Sequence, residues 1–209
     1  MKAFLMVTPQ QPKGMLHSQH YESQGNSLLD FPGETHFPII PLINGYTEAG
    51  EAIRVITVTY GEPSNCANNL KILRGELEDL EGAKGISISL DSVDVPFDDS
   101  VNALIHTYQL LIDYMSDDDM LYADITFGSK PTPLMLVMSM QYAYRLKENV
   151  SMECIVYGQK DWSGGAGVNR IYDVTALAKL DELVRVLADL RVAEPEAALR
   201  IIFGLDKEA

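Results

Sequence analysis

Five short apolar runs, each followed by turn residues and then by a segment of helical period, constrain this chain more than any other feature. They cover residues 3–7, 53–60, 85–95, 120–126 and 151–157, and residues 170–174 make a sixth, shorter candidate. Residues 85–95 contain the alternating ISISL, whereas residues 3–7 are continuously apolar and IRVITVTY is β-branched and continuous. A strand that reads this way is covered on both faces, as in a parallel sheet between layers of helices. The intervening segments 65–80, 100–115, 132–146 and 176–190 supply the helices. A further helix is expected over 37–46, where Pro38 and Pro41 suit a first turn. The expected fold is therefore α/β, a Rossmann-like, mostly parallel sheet flanked by helices. It occupies residues 1–175, with a short C-terminal helical extension over 176–209 that ends in a helix near 196–203. Residues 10–36, rich in Gln, Ser, His and Gly, show no periodicity and read as a long functional or mobile loop.

Composition removes several functions. The 209 residues carry 16 Lys and Arg against 30 Asp and Glu, a formal net charge of −14. Such a balance argues against a duplex nucleic-acid surface, though not against a small phosphate pocket. Two cysteines, Cys66 and Cys154, exclude a disulfide scaffold and a Cys-rich zinc site, and read as small buried hydrophobes. The first apolar run stops at Thr8-Pro9, too early for a signal-peptide core, and no apolar stretch reaches 18 residues. A cytoplasmic protein that uses no membrane is the expectation. The P-loop spacing, the GxGxxG fingerprint, the GxSxG elbow and the EF-hand spacing are all missing. No cofactor and no metal are expected. His17 and His20 lack a convincing third ligand, Asp117 to Asp119 read as a solvated turn, and His106 reads as a core or interface residue.

Ligands of parallel α/β sheets sit beyond the carboxyl ends of the strands, so chemistry is sought there. The richest such segment is Asp124-Ile125-Thr126-Phe127-Gly128-Ser129-Lys130-Pro131-Thr132-Pro133. Gly128 permits a close approach or a positive φ, the following helix start offers N–H groups, and Lys130 adds a full charge. Thr126, Ser129 and Thr132 add neutral donors. The combination suits an anion, phosphate above all; the plainer reading is a strand-to-helix turn with a surface lysine. After the first strand, Thr8, Pro9 and Gln10 can face the same crevice and bond a base or ribose, with 10–36 closing over it or remaining solvated. After the second, Tyr60, Gly61 and Asn65 offer base-edge partners, with helix capping by Ser64 or Asn65 as the alternative. Trp162, in Lys160-Asp161-Trp162-Ser163-Gly164-Gly165, can stack on a ligand or a partner subunit.

The segment YADITFGSKPTPLMLVMSMQYAYRL followed by ECIVYG resembles the signature region of CARF domains, the CRISPR-associated Rossmann folds, in the branch with an Asp-x-Thr-His-Gly motif. MKAFLMVTP, ITVTYG and IYDVTALAKLDEL fit the same branch in order and spacing, so the resemblance spans about residues 2–190. Two departures stand out. Phe127 replaces the family histidine, and Gly128-Ser129-Lys130-Pro131 is similar to the Gly-Thr-Lys-Pro of another branch, whose lysine contacts the bound ring. No Arg-x4-His ribonuclease motif is present, so the chain resembles a stand-alone CARF protein or the sensor part of a longer effector.

The resemblance implies a homodimer that binds cyclic oligoadenylate, tetra- or hexa-adenylate, across a two-fold axis. It also implies one of two roles. A ring nuclease cleaves the ligand without a metal, as the ribose 2′-hydroxyl attacks its own phosphodiester and leaves a 2′,3′-cyclic phosphate. In that role Lys130 stabilises charge, while Ser129 and Thr8 position the ring. A non-catalytic sensor instead passes binding to an effector partner through helix 176–190. A nucleotide-binding protein unrelated to CRISPR is the third reading.

Overall fold

The computed structural model describes residues 1–61, 64–160 and 168–204. Its centre is a seven-stranded sheet. Strand β1 (Lys2–Val7) pairs in parallel with β3 (Ala52–Tyr60) on one side and β5 (Met120–Asp124) on the other. Beyond β3 lies β4 (Ser87–Val95), and beyond β5 lies β6 (Ser151–Gln159), both parallel to their neighbours. The antiparallel strand β7 (Asn169–Asp173) follows β6, and β2 (Tyr21–Gln24) closes that edge. The order across the sheet is β2-β7-β6-β5-β1-β3-β4. This is the α/β, Rossmann-like arrangement expected from the alternation of runs.

The connections explain the layers. Helix α1 (Ile39–Tyr46) packs with α2 (Cys66–Lys84), and α3 (Val101–Asp113) packs with α4 (Pro131–Leu146). Strand β1 is buried from Ala3 to Val7 because it has neighbours on both edges and covered faces. Phe4 stacks on Tyr122 with ring centroids 4.5 Å apart, and Phe37, Ile39, Ile43, Leu73 and Leu77 complete that core. Burying a large apolar side chain of this kind contributes roughly 1.5–3 kcal/mol.

Several expectations are corrected. Residues 10–36 are not one open loop. They hold β2, a single 3₁₀ turn (Ser27–Leu29) and a Gln19–Thr35 bridge, with Leu16, Tyr21 and Leu29 buried. An edge strand of four residues paired to one short neighbour leaves too little alternation to see in the sequence. Helix α3 is capped by Ser100, whose Oγ accepts from the Ala103 amide, while Asp98 accepts from Ser100. Helix α4 opens at Pro131, one residue before the expected 132–146. His106 is exposed, not a core residue. Cys66 and Cys154 are buried free thiols, as expected. Trp162 lies outside the described residues.

The chain divides into two compact units, Met1–Thr175 and Ala176–Ala209. The second carries α6 (Pro195–Ile202) and all of α5 (Thr175–Asp189) but its first residue. Among the described residues, no helix is long and apolar enough to cross a membrane.

Gly45 and Gly75 give a paired test of helix packing. A Cβ at Gly45, on α1, would stand 1.8 Å from the Leu28 carbonyl oxygen, whereas one at Gly75, on α2, meets nothing within 4 Å. Gly45→Ala is expected to destabilise by roughly 1–3 kcal/mol. Gly75→Ala is expected to stabilise by about 0.5–1 kcal/mol through helix propensity. Thermal melts decide, and equal shifts for the two would contradict the packing of α1 against the 3₁₀ turn.

Candidate functional site

The strand order changes direction at β1 and β5. From β1 the chain moves outward through β3 to β4, then returns to β5 and proceeds to β6. The carboxyl ends of β1 and β5 therefore diverge into connections on opposite sides of the sheet and leave a crevice between them. Met6 pairs with Asp124 in register, so the Thr8–Gln11 turn and the Thr126–Lys130 turn emerge side by side.

Two cavities occupy this edge. The first, of about 290 Å³, is lined by Gln10, Gln11, Tyr60, Phe97, Asp98, Asp99, Thr126, Phe127, Gly128 and Ser129. The second, of about 150 Å³, is lined by Gln11, Met15, Leu16, Gln19, Tyr21, His36, Thr126, Phe127, Tyr157, Gly158 and Lys160. Gln11, Thr126 and Phe127 belong to both and form the partition between them. Segment 10–36 supplies a built wall of the second cavity, through Met15, Leu16, Gln19, Tyr21 and His36.

Gly128 shapes the first cavity. Its φ is +110°, and a Cβ there would lie 3.2 Å from Val7 Cγ1 and 3.3 Å from Pro133 Cδ, so only glycine fits without strain. The amides of Phe127, Gly128, Ser129 and Lys130 donate to no protein acceptor among the described residues. Pro131 and Pro133 lack an N–H, and the Thr132 amide donates to the Ser129 carbonyl at 3.0 Å. The start of α4 is thus poor in donors, and the glycine turn before it is where they collect. Such successive backbone amides suit an anion.

A chain of hydroxyls crosses the cavity wall. The Tyr60 hydroxyl meets Thr132 Oγ1, Thr132 Oγ1 lies 3.0 Å from Ser129 Oγ, and Ser129 Oγ donates to Asp99 Oδ1 at 2.7 Å. Each hydroxyl has one proton, so a carboxylate at the Asp99 end orients the donors from Tyr60 towards Asp99. Burial holds the Tyr60 phenol above its ordinary pKa, which keeps it a donor. Asp98 and Asp99 give this wall acceptors, suited to hydroxyl and amino groups of a ligand.

The structure sorts the expected site residues. Gln10, Tyr60, Thr126, Gly128 and Ser129 line the first cavity. Thr8 does not face it: the residue is fully buried, with its hydroxyl 2.7 Å from Thr57 Oγ1. Pro9 is buried, and its carbonyl accepts from Asn69 at 2.8 Å. Asn65 supports the site from behind, donating to the Gln10 carbonyl at 3.3 Å. Thr132 is buried in the hydroxyl chain. Gly61 is exposed outside the lining, and Pro131 occupies the first turn of α4. Lys130 is exposed at the helix start and lines neither cavity. Phe97, Asp98 and Asp99 were legible by the same strand-end rule, because they follow β4. His36 gave no signal, since its partner Glu76 lies 40 residues on. Among the described residues, no group of three or more His, Cys, Asp or Glu can hold a metal ion.

Asp124 is a framework residue. It is 1% exposed and lines neither cavity. Its Oδ1 accepts from the Thr126 amide at 2.9 Å, and its Oδ2 is buried with no hydrogen-bond partner among the described residues. Burial pushes the carboxyl up to about 6, against opposing bonds from Thr126 and the Ile39 amide. The folded state therefore holds this proton between pH about 4 and 6 while the unfolded chain has released it. Stability from this group is full below that window and is lost as pH rises through it. The loss is about 3 kcal/mol, at 1.36 kcal/mol per unit. In denaturant titrations from pH 4 to 8, Asp124→Asn is expected to flatten that decline. An unchanged profile in the variant would show that Asp124 does not carry it.

No protein-family model matches this chain, and no curated protein matches it.

Proposed function

We propose that the chain binds a cyclic oligoadenylate at the crevice between β1 and β5 and cleaves it as a metal-independent ring nuclease of type III CRISPR defence. The observation that carries this reading is the Gly128 turn, where the amides of Phe127, Gly128 and Ser129, residues that line the first cavity, donate to no acceptor among the described residues. Asp98 and Asp99 line the same cavity, Asp99 bonded to Ser129 of the turn, and are acceptors suited to ribose hydroxyls or the adenine amino group. A nucleotide presents both an anion and such donors. The resemblance of YADITFGSKP to the CARF signature supplies the ligand class, and Thr126 and Gly128 of its Asp-x-Thr-x-Gly run line the first cavity.

A cavity of about 290 Å³ is at the small end of ligand sites, which run from about 300 to 1,000 Å³. One chain accommodates a nucleotide-sized portion, and a ring calls for a second copy related by two-fold symmetry. In the cleavage step the 2′-hydroxyl oxygen forms a bond to phosphorus and the P–O5′ bond breaks. The turn amides and Lys130, at the rim, stabilise the phosphorane charge, and Ser129 orients the ring. The exposure of Lys130 outside the cavity lining favours the second reading in part, a sensor that holds the ring intact.

Incubation with cyclic tetra- and hexa-adenylate in EDTA, followed by chromatography, separates these readings. Linear products ending in 2′,3′-cyclic phosphate are expected, and Lys130→Ala is expected to lower turnover more than affinity. Tight binding with intact ligand would make the protein a sensor. No binding of either ring would overturn the reading.

A further inference from the structure

The second cavity contains an oriented imidazole that the proposed site does not use. His36 lines it, and His36 Nδ1 lies 2.5 Å from Glu76 Oε1 on α2. That carboxylate is itself fixed. Glu76 Oε1 also accepts from the His36 amide at 3.0 Å, and Glu76 Oε2 accepts from the Thr35 hydroxyl. Thr35 is in turn held by the backbone bridge to Gln19, and its Oγ1 accepts from the Phe37 amide at 3.0 Å. With Nδ1 committed to Glu76, Nε2 is the ring nitrogen left for a ligand.

A carboxylate that sets one ring nitrogen and leaves the other to a pocket is the arrangement a general base needs. The pocket also has the character of a subsite. Leu16, Tyr21, Phe127 and Tyr157 give it apolar and aromatic surface, and Gln11 brings a buried Oε1 with no hydrogen-bond partner among the described residues. Because Gln11, Thr126 and Phe127 line both, the two cavities adjoin, and a ligand seated on the Gly128 turn has this cavity beside it.

Resting on the ligand class proposed above, we infer that His36, oriented by Glu76, is the general base for attack by a ribose 2′-hydroxyl on the neighbouring phosphodiester. His36 Nε2 accepts the hydroxyl proton as O2′ bonds to phosphorus. The P–O5′ bond then breaks, and the imidazolium returns the proton to the departing 5′-oxygen. The products are a 2′,3′-cyclic phosphate and a 5′-hydroxyl, with no water consumed and no change of oxidation state. His36 is the catalytic residue in this step and Glu76 its positioning residue.

The test uses the full chain with two probes in EDTA: cyclic tetra-adenylate and adenylyl-(3′,5′)-adenosine, which holds the same bond without a ring. Direct binding, single-turnover cleavage and thermal melts are measured for the wild type, His36→Gln, His36→Ala and Glu76→Gln. His36→Gln is expected to slow cleavage by about 100-fold or more while the Kd for the ring moves less than about threefold. Added imidazole is expected to restore part of the rate to His36→Ala, which a merely structural histidine would not allow. Glu76→Gln is expected to slow the step without weakening ring binding. Wild-type rates in His36→Gln, or a wild type that binds the ring and cleaves neither probe, would overturn the His36 assignment and leave the ligand reading standing. Cleavage of the dinucleotide that depends on His36, without ring binding, would support His36 and overturn the ring as ligand. Neither binding nor cleavage would overturn both.

Discussion

The parallel pairing of β1 with both β3 and β5 is the constraint on which the remaining structure depends. It buries Ala3 to Val7 completely and forces the segments that follow β1 and β5 apart at one edge of the sheet. The crevice is a consequence of that divergence, not of any single residue. A slip in register by one residue would exchange the two faces of β1 and move Asp124 away from the position where it shapes the Thr126 turn.

Around the crevice, connections from four strands are joined by polar bonds. Tyr60 ends β3, Asp99 follows β4, and Ser129 and Thr132 follow β5, and their hydroxyl chain joins all of these. On the other side, the Gly158 amide of β6 donates to Thr126 Oγ1 at 2.8 Å. Gly158 has to be small there, because a Cβ would stand 2.4 Å from Pro38 Cγ. Thr126 thus holds the partition between the two cavities while bonding Asp124 through its amide and β6 through its hydroxyl. A site so cross-braced is preorganised, which suits a ligand that must be held in one geometry.

The fold was largely legible in the sequence because continuous apolar runs report burial on both faces directly. Residues 3–7 have that signature and β1 is buried accordingly, while the β-branched run 53–60 and the run 151–157 place β3 and β6. Segment 10–36 was not legible: Tyr21 and Leu29 are buried by packing against distant parts of the chain, with no local period to announce it. At the site, Gly128, Ser129 and Thr126 could be chosen because a strand-end glycine has a physical meaning by itself. Thr8 could not be judged, since nothing local says that its hydroxyl is spent on Thr57. The donors near Lys130 were attributed to a helix start that Pro131 and Pro133 deprive of N–H groups, and the structure moves them to the preceding turn. The pairing of His36 with Glu76 joins a connecting segment to a helix, a contact that only the fold creates.

The central claim is that the crevice between β1 and β5 holds the ligand. It is tested most directly by titration calorimetry of cyclic tetra- and hexa-adenylate into the wild type and into Gln10→Trp, which fills the first cavity from a half-buried position on its wall. The account predicts saturable binding of one ring per two chains by the wild type, lost in the variant while its thermal melt is unchanged. Undiminished binding by Gln10→Trp, or no heat from either ring with the wild type, would contradict it.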